Sequence, residues 1–197
     1  MEQKERVYQL LSKRNGTVAR KEALDSNVNP NTLQRMLIND EVYSPIKGIL
    51  VQKDKLEDTY YSRQQIFKKG IYSLETALVL HDLTDLIPKE YVMTFPRGYN
   101  NPNLKKYFIK GVYKKEELYQ LGVEWKRTPH GNPIRVYNLE RTLCDIWDPK
   151  NKTDFSKKMQ ATKAYLKHPK RKQYLLPGYL NKLNLKTELI QTLEMLQ

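Results

Sequence analysis

Glu124-Trp125-Lys126 is the sharpest catalytic pattern in this chain of 197 residues. On a strand its two charged side chains share one face, and nucleases use such a Glu-x-Lys pair with an upstream Asp to hold a divalent ion and polarise the attacking water. Asp82 or Asp85 could supply that carboxylate. The competing reading is a solvated strand face, since an oxygen-rich magnesium site needs more than one well-placed carboxylate. His81, His130 and His168 share no metal-ligand spacing with one another or with Cys144. His81 falls on a helical face, where a satisfied core or turn residue is the plainer role, and His130 opens the turn His130-Gly131-Asn132-Pro133. Cys144 reads as a small buried hydrophobe. In Glu140-Arg141-Thr142-Leu143-Cys144-Asp145 the two carboxylates are off the i, i+4 register, whereas Arg141 can pair with Asp145 and fix this helix against a sheet. No catalytic residue, metal or cofactor is expected, and a metal-dependent Glu-x-Lys nuclease is the alternative.

Charge points to a different chemistry. The 35 Lys and Arg against 22 Asp and Glu leave +13, enough to attract polyanions, nucleic acid first and an anionic membrane second. Residues 1–60 carry 10 basic and 9 acidic side chains, 61–150 carry 15 and 10, and 151–197 carry 10 and 3. In the last two segments Lys105-Lys106, Lys114-Lys115, Lys126-Arg127, Lys157-Lys158 and the run Lys167 to Lys172, with Lys170, Arg171 and Lys172, interleave with Tyr107, Tyr113, Trp125, Tyr165 and Tyr174. Charge runs are usually solvated faces, yet this excess exceeds what solubility requires. A phosphate-binding surface is the economical explanation, with RNA as the rival to DNA.

The elements that would position these groups begin with a small module. Val7, Leu10 and Leu11 mark a helix from Glu2 to Arg14 that stops at Asn15-Gly16. A short second helix over Ala19–Ser26 turns Ala23 and Leu24 inward and ends at Asn27, suited to a left-handed cap. Asn29-Pro30 opens a third helix with Leu33, Met36 and Leu37 as its buried stripe. Val42–Ile46 and Ile49–Val51 read as two strands around Lys47-Gly48. This is the outline of a winged helix-turn-helix over residues 1–60, in which the third helix enters the major groove. Its exposed Asn31, Thr32, Gln34 and Arg35 are types that reach base edges or phosphates, and Arg20, Lys21 and the wing-tip Lys47 could hold the backbone. The near-neutral charge of this module favours the competing reading, a protein-packing module.

Residues 61–197 form the second expected domain. A polar bridge over 52–70 has helical character, Ser73 can cap a helix carrying Leu74, Ala77, Leu78 and His81, and strands are expected at Tyr91–Phe95, Tyr107–Val112, Gly122–Arg127 and Ile134–Tyr137. Asn138 can cap a helix presenting Leu139, Leu143, Ile146 and Trp147, and a helical tail broken by Pro169 and Pro177-Gly178 follows. The class is α+β: an N-terminal winged helix followed by a mixed α/β domain with a helical tail. With 39% hydrophobic and 29% charged residues, 8 Gly and 10 Pro, the chain should fold throughout. One Cys excludes an internal disulfide and a Cys-rich zinc site. The charged start from Met1 to Arg6 gives no signal peptide, and no apolar run nears the ~18 residues of a membrane span. A cytoplasmic protein is expected.

The order of motifs resembles the AbiEi family of antitoxins from bacterial abortive-infection type IV toxin-antitoxin systems. The residues that carry the resemblance are the winged helix, Ile71-Tyr72-Ser73 with Ala77-Leu78, His81-Asp82-Leu83-Thr84, a strand, and Val136-Tyr137-Asn138-Leu139-Glu140-Arg141-Thr142-Leu143-Cys144-Asp145. It covers nearly the whole chain, with less pattern after about residue 150; Asp82 departs from it, because Gly is expected there. The resemblance implies an antitoxin for phage defence whose winged helix represses its own operon, with operator DNA in inverted repeats as partner. Its C-terminal domain would counter a nucleotidyltransferase toxin without a stable complex.

Overall fold

The computed structural model describes residues 2–197. They form two compact units: the chain up to Lys68 together with Lys126–Ile134, and Lys69–Trp125 together with Arg135–Gln197.

In the first unit α1 (Gln3–Lys13) buries Val7 and Leu11. It stops where Asn15 and Gly16 take φ of 51° and 92°, and the Gly16 N–H closes on the Leu11 carbonyl at 2.7 Å, a left-handed termination that satisfies a terminal carbonyl. β1 (Thr17–Ala19) leads into α2 (Arg20–Asp25), after which Asn27 adopts φ 58° as its residue type suggests. Asn29 then caps α3 (Pro30–Ile38), its Oδ1 accepting the Asn31 N–H at 2.8 Å. β2 (Val42–Tyr43) and β3 (Ile49–Gln52) complete an antiparallel sheet in the order β1-β3-β2, with Val18 opposite Leu50 and Val42 opposite Gln52. Val7, Leu11, Val18, Ala23, Leu33 and Met36 share one core; a fully buried aliphatic side chain contributes about 1.5–3 kcal/mol. α4 (Thr59–Ile66) closes the contiguous part of the unit. Two expectations fail locally. Leu24 is 36% exposed, leaving Ala23 as the buried residue of α2. The strand expected to reach Ile46 stops at Tyr43, because Pro45 has no N–H for a ladder.

The larger sheet has the order β6-β5-β4-β8-β7, built from β4 (Ile71–Tyr72), β5 (Tyr91–Pro96), β6 (Ile109–Lys114), β7 (Val123–Arg127) and β8 (Pro133–Tyr137). β5 runs antiparallel to β4 and parallel to β6, and β4 is parallel to β8. α5 (Leu74–Leu80) and α7 (Leu139–Trp147) bury Leu78, Leu143 and Ile146 in a core that α8 (Phe155–Lys167), α9 (Leu176–Lys182) and α10 (Leu189–Leu196) complete with Tyr165, Leu176 and Leu193. Helices with two separate sheets bear out the α+β class.

Four local expectations are corrected. β6 begins at Ile109, because Phe108 takes a left-handed φ of 56° after a 3-10 turn over Lys105–Tyr107. Ser73 stands at the N-cap of α5 but makes no side-chain capping bond; it is buried, and its Oγ accepts from the Thr94 hydroxyl at 2.9 Å. α6 (Glu116–Gln120) had no sequence counterpart. Pro177 and Gly178 sit in the first turn of α9, where a proline ring is tolerated.

Candidate nucleic-acid interface

The face of α3 follows from its anchoring. Leu33 and Met36 are buried, while Asn31, Gln34, Arg35 and Ile38 lie exposed on the opposite arc and Thr32 is half-buried at its edge. At 3.6 residues per turn, Asn31 and Ile38 mark the centre of that arc, with Gln34 and Arg35 on its two flanks. Arg35 borders a shallow depression with Gln3, Lys4 and Glu41. The carboxylate there is already occupied, since Glu41 accepts from the Tyr8 hydroxyl at 2.7 Å and pairs with Lys4 at 2.8 Å, contacts that hold it below the ordinary carboxylate range.

Within the same unit a cleft of about 680 Å³ is lined by Arg14, Arg20, Lys21, Lys47 and Lys68 with Gln65 and Tyr61 on its walls. The Arg20 N–H donates to the Gly48 carbonyl at 2.8 Å, which brings the head of α2 to the Lys47-Gly48 turn. Glu22 also lines the cleft but is engaged by the Arg14 guanidinium at 2.6 and 2.8 Å and by the Tyr61 hydroxyl at 2.6 Å. Burial and this bond to Glu22 raise the Tyr61 phenol above its ordinary value. Asp25 lines the cleft as well, so five cations face two carboxylates there, of which Glu22 is already paired. Arg20, Lys21 and Lys47 come together here as sequence candidates. Arg14, Gln65 and Lys68 were missed, because only the turn of α4 back to this face gives them a common site.

A second missed feature is the buried hub around Asp58, which has no exposed surface. Its Oδ1 accepts the Tyr61 N–H at 3.1 Å, and its Oδ2 accepts the Thr128 hydroxyl at 2.5 Å and the Asn132 side-chain amide at 2.9 Å. Its own N–H donates to Thr17 Oγ1 at 3.0 Å. Asn132 also donates to the Arg14 carbonyl, and Asn15 donates to the His130 carbonyl at 2.6 Å. The turn favours glycine at Gly131, whose φ is 86° and where a Cβ would stand 3.0 Å from the Asn15 amide nitrogen. With Lys68, Arg63, Lys126 and Arg127 included, this unit carries 14 basic and 9 acidic side chains.

In the second unit Lys105 and Lys106 are exposed on the 3-10 turn before β6, and Lys115 is exposed at the head of α6. Lys114 is half-buried with its ammonium 3.8 Å from Asp148. Lys170, Arg171 and Lys172 are exposed beyond α8, and the Lys172 N–H donates to buried Glu140. His81 Nε2 lies 2.7 Å from the Tyr137 carbonyl and 4.0 Å from Glu124, a satisfied core position. No group of three or more His, Cys, Asp or Glu side chains that could hold a metal occurs among the described residues. Arg141 pairs with Asp145 at 3.0 Å and donates to the Leu118 and Leu121 carbonyls, both at 2.8 Å, so it clamps the end of α6 to α7. Cys144 is fully buried, which pushes its thiol up to about 12. No helix of the described residues is long and apolar enough to cross a membrane.

No protein-family model matches the chain, and no curated protein matches its sequence. Among solved structures the chain is similar to the crystal structure of the RV2827C protein from Mycobacterium tuberculosis, with a TM-score of 0.59 and 12% identity over 98% of this chain and 75% of that one. At that identity the likeness concerns the fold alone.

Proposed function

We propose that this chain is a sequence-specific DNA-binding protein whose first unit is a winged helix-turn-helix, with α3 as the recognition helix and the turn at Lys47 as the wing tip. The observation that carries the reading is the exposed polar arc Asn31, Gln34 and Arg35, held rigid by buried Leu33 and Met36, in a unit that also bears the cationic cleft of Arg20, Lys21, Lys47 and Lys68. Side chains of the first group suit base edges and those of the second suit phosphates. Lys105, Lys106, Lys114, Lys115, Lys170, Arg171 and Lys172 add sequence-independent phosphate contacts.

The biological role that goes with it is an antitoxin of the AbiEi kind, cytoplasmic and without catalytic activity. It represses its own operon from inverted repeats and counters a nucleotidyltransferase toxin without a stable complex. The turn at Asp82 supports the resemblance at its one departure: φ there is 57°, the left-handed backbone in which Gly is unstrained and Asp is tolerated.

The test is gel-shift titration of the full chain against duplex covering the region upstream of its own gene, beside random duplex of equal length and in defined salt. Preference for the upstream duplex that disappears in Gln34→Ala supports the reading. Equal affinity for both duplexes in the wild type sinks it.

A further inference from the structure

The stretch from Tyr91 to Lys115 holds six cations, Arg97, Lys105, Lys106, Lys110, Lys114 and Lys115, and no carboxylate. It also holds six aromatic residues. It folds as β5, a loop, a 3-10 turn and β6, with β6 the outermost strand of the five-stranded sheet. Two of the aromatic rings face outward: Phe108 is 61% exposed and Tyr113 48% exposed. The left-handed φ of Phe108 is uncommon for a bulky residue. Gly111 accounts for the posture of Tyr113, since a Cβ there would stand 2.9 Å from the tyrosine hydroxyl. Without that Cβ the ring lies flat along the strand. Beside it a groove of about 470 Å³ is lined by Pro102, Leu104, Lys105, Lys110 and Tyr113, with Glu90 as its one carboxylate.

Apolar rings left in water are costly surface, and a stretch with six cations and no carboxylate of its own is the wrong setting for an apolar protein partner. Stacked bases in a duplex hide their faces, so a duplex could use the lysines but not the rings. An unpaired strand uses both: bases stack on aromatic faces while phosphates track a cationic groove.

We propose that Lys105, Lys106, Phe108, Lys110 and Tyr113 form a binding platform for a single-stranded polynucleotide, its bases on the two rings and its phosphates on the lysines. This deepens the phosphate-binding reading of Lys105 and Lys106 by naming the strand they meet. It is independent of operator recognition by α3.

The test is fluorescence anisotropy of the full chain with short labelled oligo(rU), oligo(dT) and a random duplex of equal length, with the upstream duplex titrated in parallel. Phe108→Ala and Tyr113→Ala should each weaken single-strand binding about 5- to 150-fold, the range for losing one stacked base, and leave upstream-duplex binding unchanged. Tyr113→Phe should retain single-strand affinity. Lys105→Ala with Lys106→Ala should flatten the single-strand salt slope by about 1.4. Preference for oligo(rU) or for oligo(dT) identifies RNA or DNA as the source, and the proposal stands with either. If the wild type binds random duplex as tightly as single strands, or if the folded aromatic variants bind single strands as well as the wild type, the platform is refuted. If aromatic-dependent single-strand binding persists while the upstream duplex shows no preference, the platform stands and operator recognition falls.

Discussion

The side-chain amide of Asn132 donates to the buried carboxylate of Asp58 at 2.9 Å, across 74 positions of sequence. This bond, with that of Thr128 at 2.5 Å, makes the segment Lys126–Ile134 part of the N-terminal unit. A polar group buried without its partner costs about 1–3 kcal/mol, and more when charged. Asp58→Ala removes the acceptor for three donors, so it should destabilise the full chain by about 3 kcal/mol or more in urea unfolding. A loss below about 1 kcal/mol would show that water replaces the carboxylate.

The same hub governs how fragments behave. Residues 1–60 alone lack Thr128 and Asn132, so they should give broad amide spectra and weak DNA binding even in low salt. Supplying charge alone, by adding lysines to the fragment, should not restore binding. A well-dispersed spectrum from residues 1–60 would contradict this.

Base reading by α3 has its own signature. Arg35→Ala and Gln34→Ala should each reduce binding to the specific duplex by about 1–3 kcal/mol and leave random-duplex binding nearly unchanged. Equal losses on both would make these residues phosphate contacts instead.

Salt dependence separates the cationic groups. Each phosphate contact contributes about −0.9 to the slope of log K against log salt. Removing Arg20, Lys21 and Lys47 together should therefore flatten the upstream-duplex slope by about 2.7 if all three contact phosphate. An unchanged slope would take the cleft off the DNA path.

Cys144 gives a readout of the second unit. Its burial pushes the thiol up to about 12, so the group stays protonated and unreactive at pH 8. Native protein should resist iodoacetamide, and labelling should rise only with unfolding. In the unfolded chain the thiol ionises in its ordinary range while the native thiol stays protonated, so stability falls as pH rises from that range to about 12. Rapid labelling of native protein at pH 8 would contradict the buried setting.

Local chemistry was legible where one or two residues decide the backbone. Asn27 takes φ 58°, and Asn29 with Pro30 opens α3 as their types dictate. His81, Cys144 and the Arg141–Asp145 pair also read correctly, because burial on a helical stripe follows from spacing. What stayed hidden depends on distant partners. Asp58 looks like any surface carboxylate near a helix start, and nothing in His130-Gly131-Asn132-Pro133 beyond a turn signal tells where the turn docks. Lys68 stands beside Lys69 in sequence and meets Arg20, Lys21 and Lys47 only in the cleft. Aromatic propensity favours a strand at Phe108; its left-handed backbone is a tertiary choice that propensity does not carry.

The interrupted course of the first unit also sets a timetable for synthesis. Residues up to Lys68 leave the ribosome first, but their hub is incomplete until Thr128 and Asn132 arrive. At about 5–20 residues per second, those partners follow the end of the N-terminal segment by roughly 3–13 s. During that interval the nascent chain holds α3 in an unfinished frame. A message cut short before the codon for Asn132 would thus yield a product without its closing hydrogen bonds, and a finished first unit becomes a property of chains translated well past their midpoint.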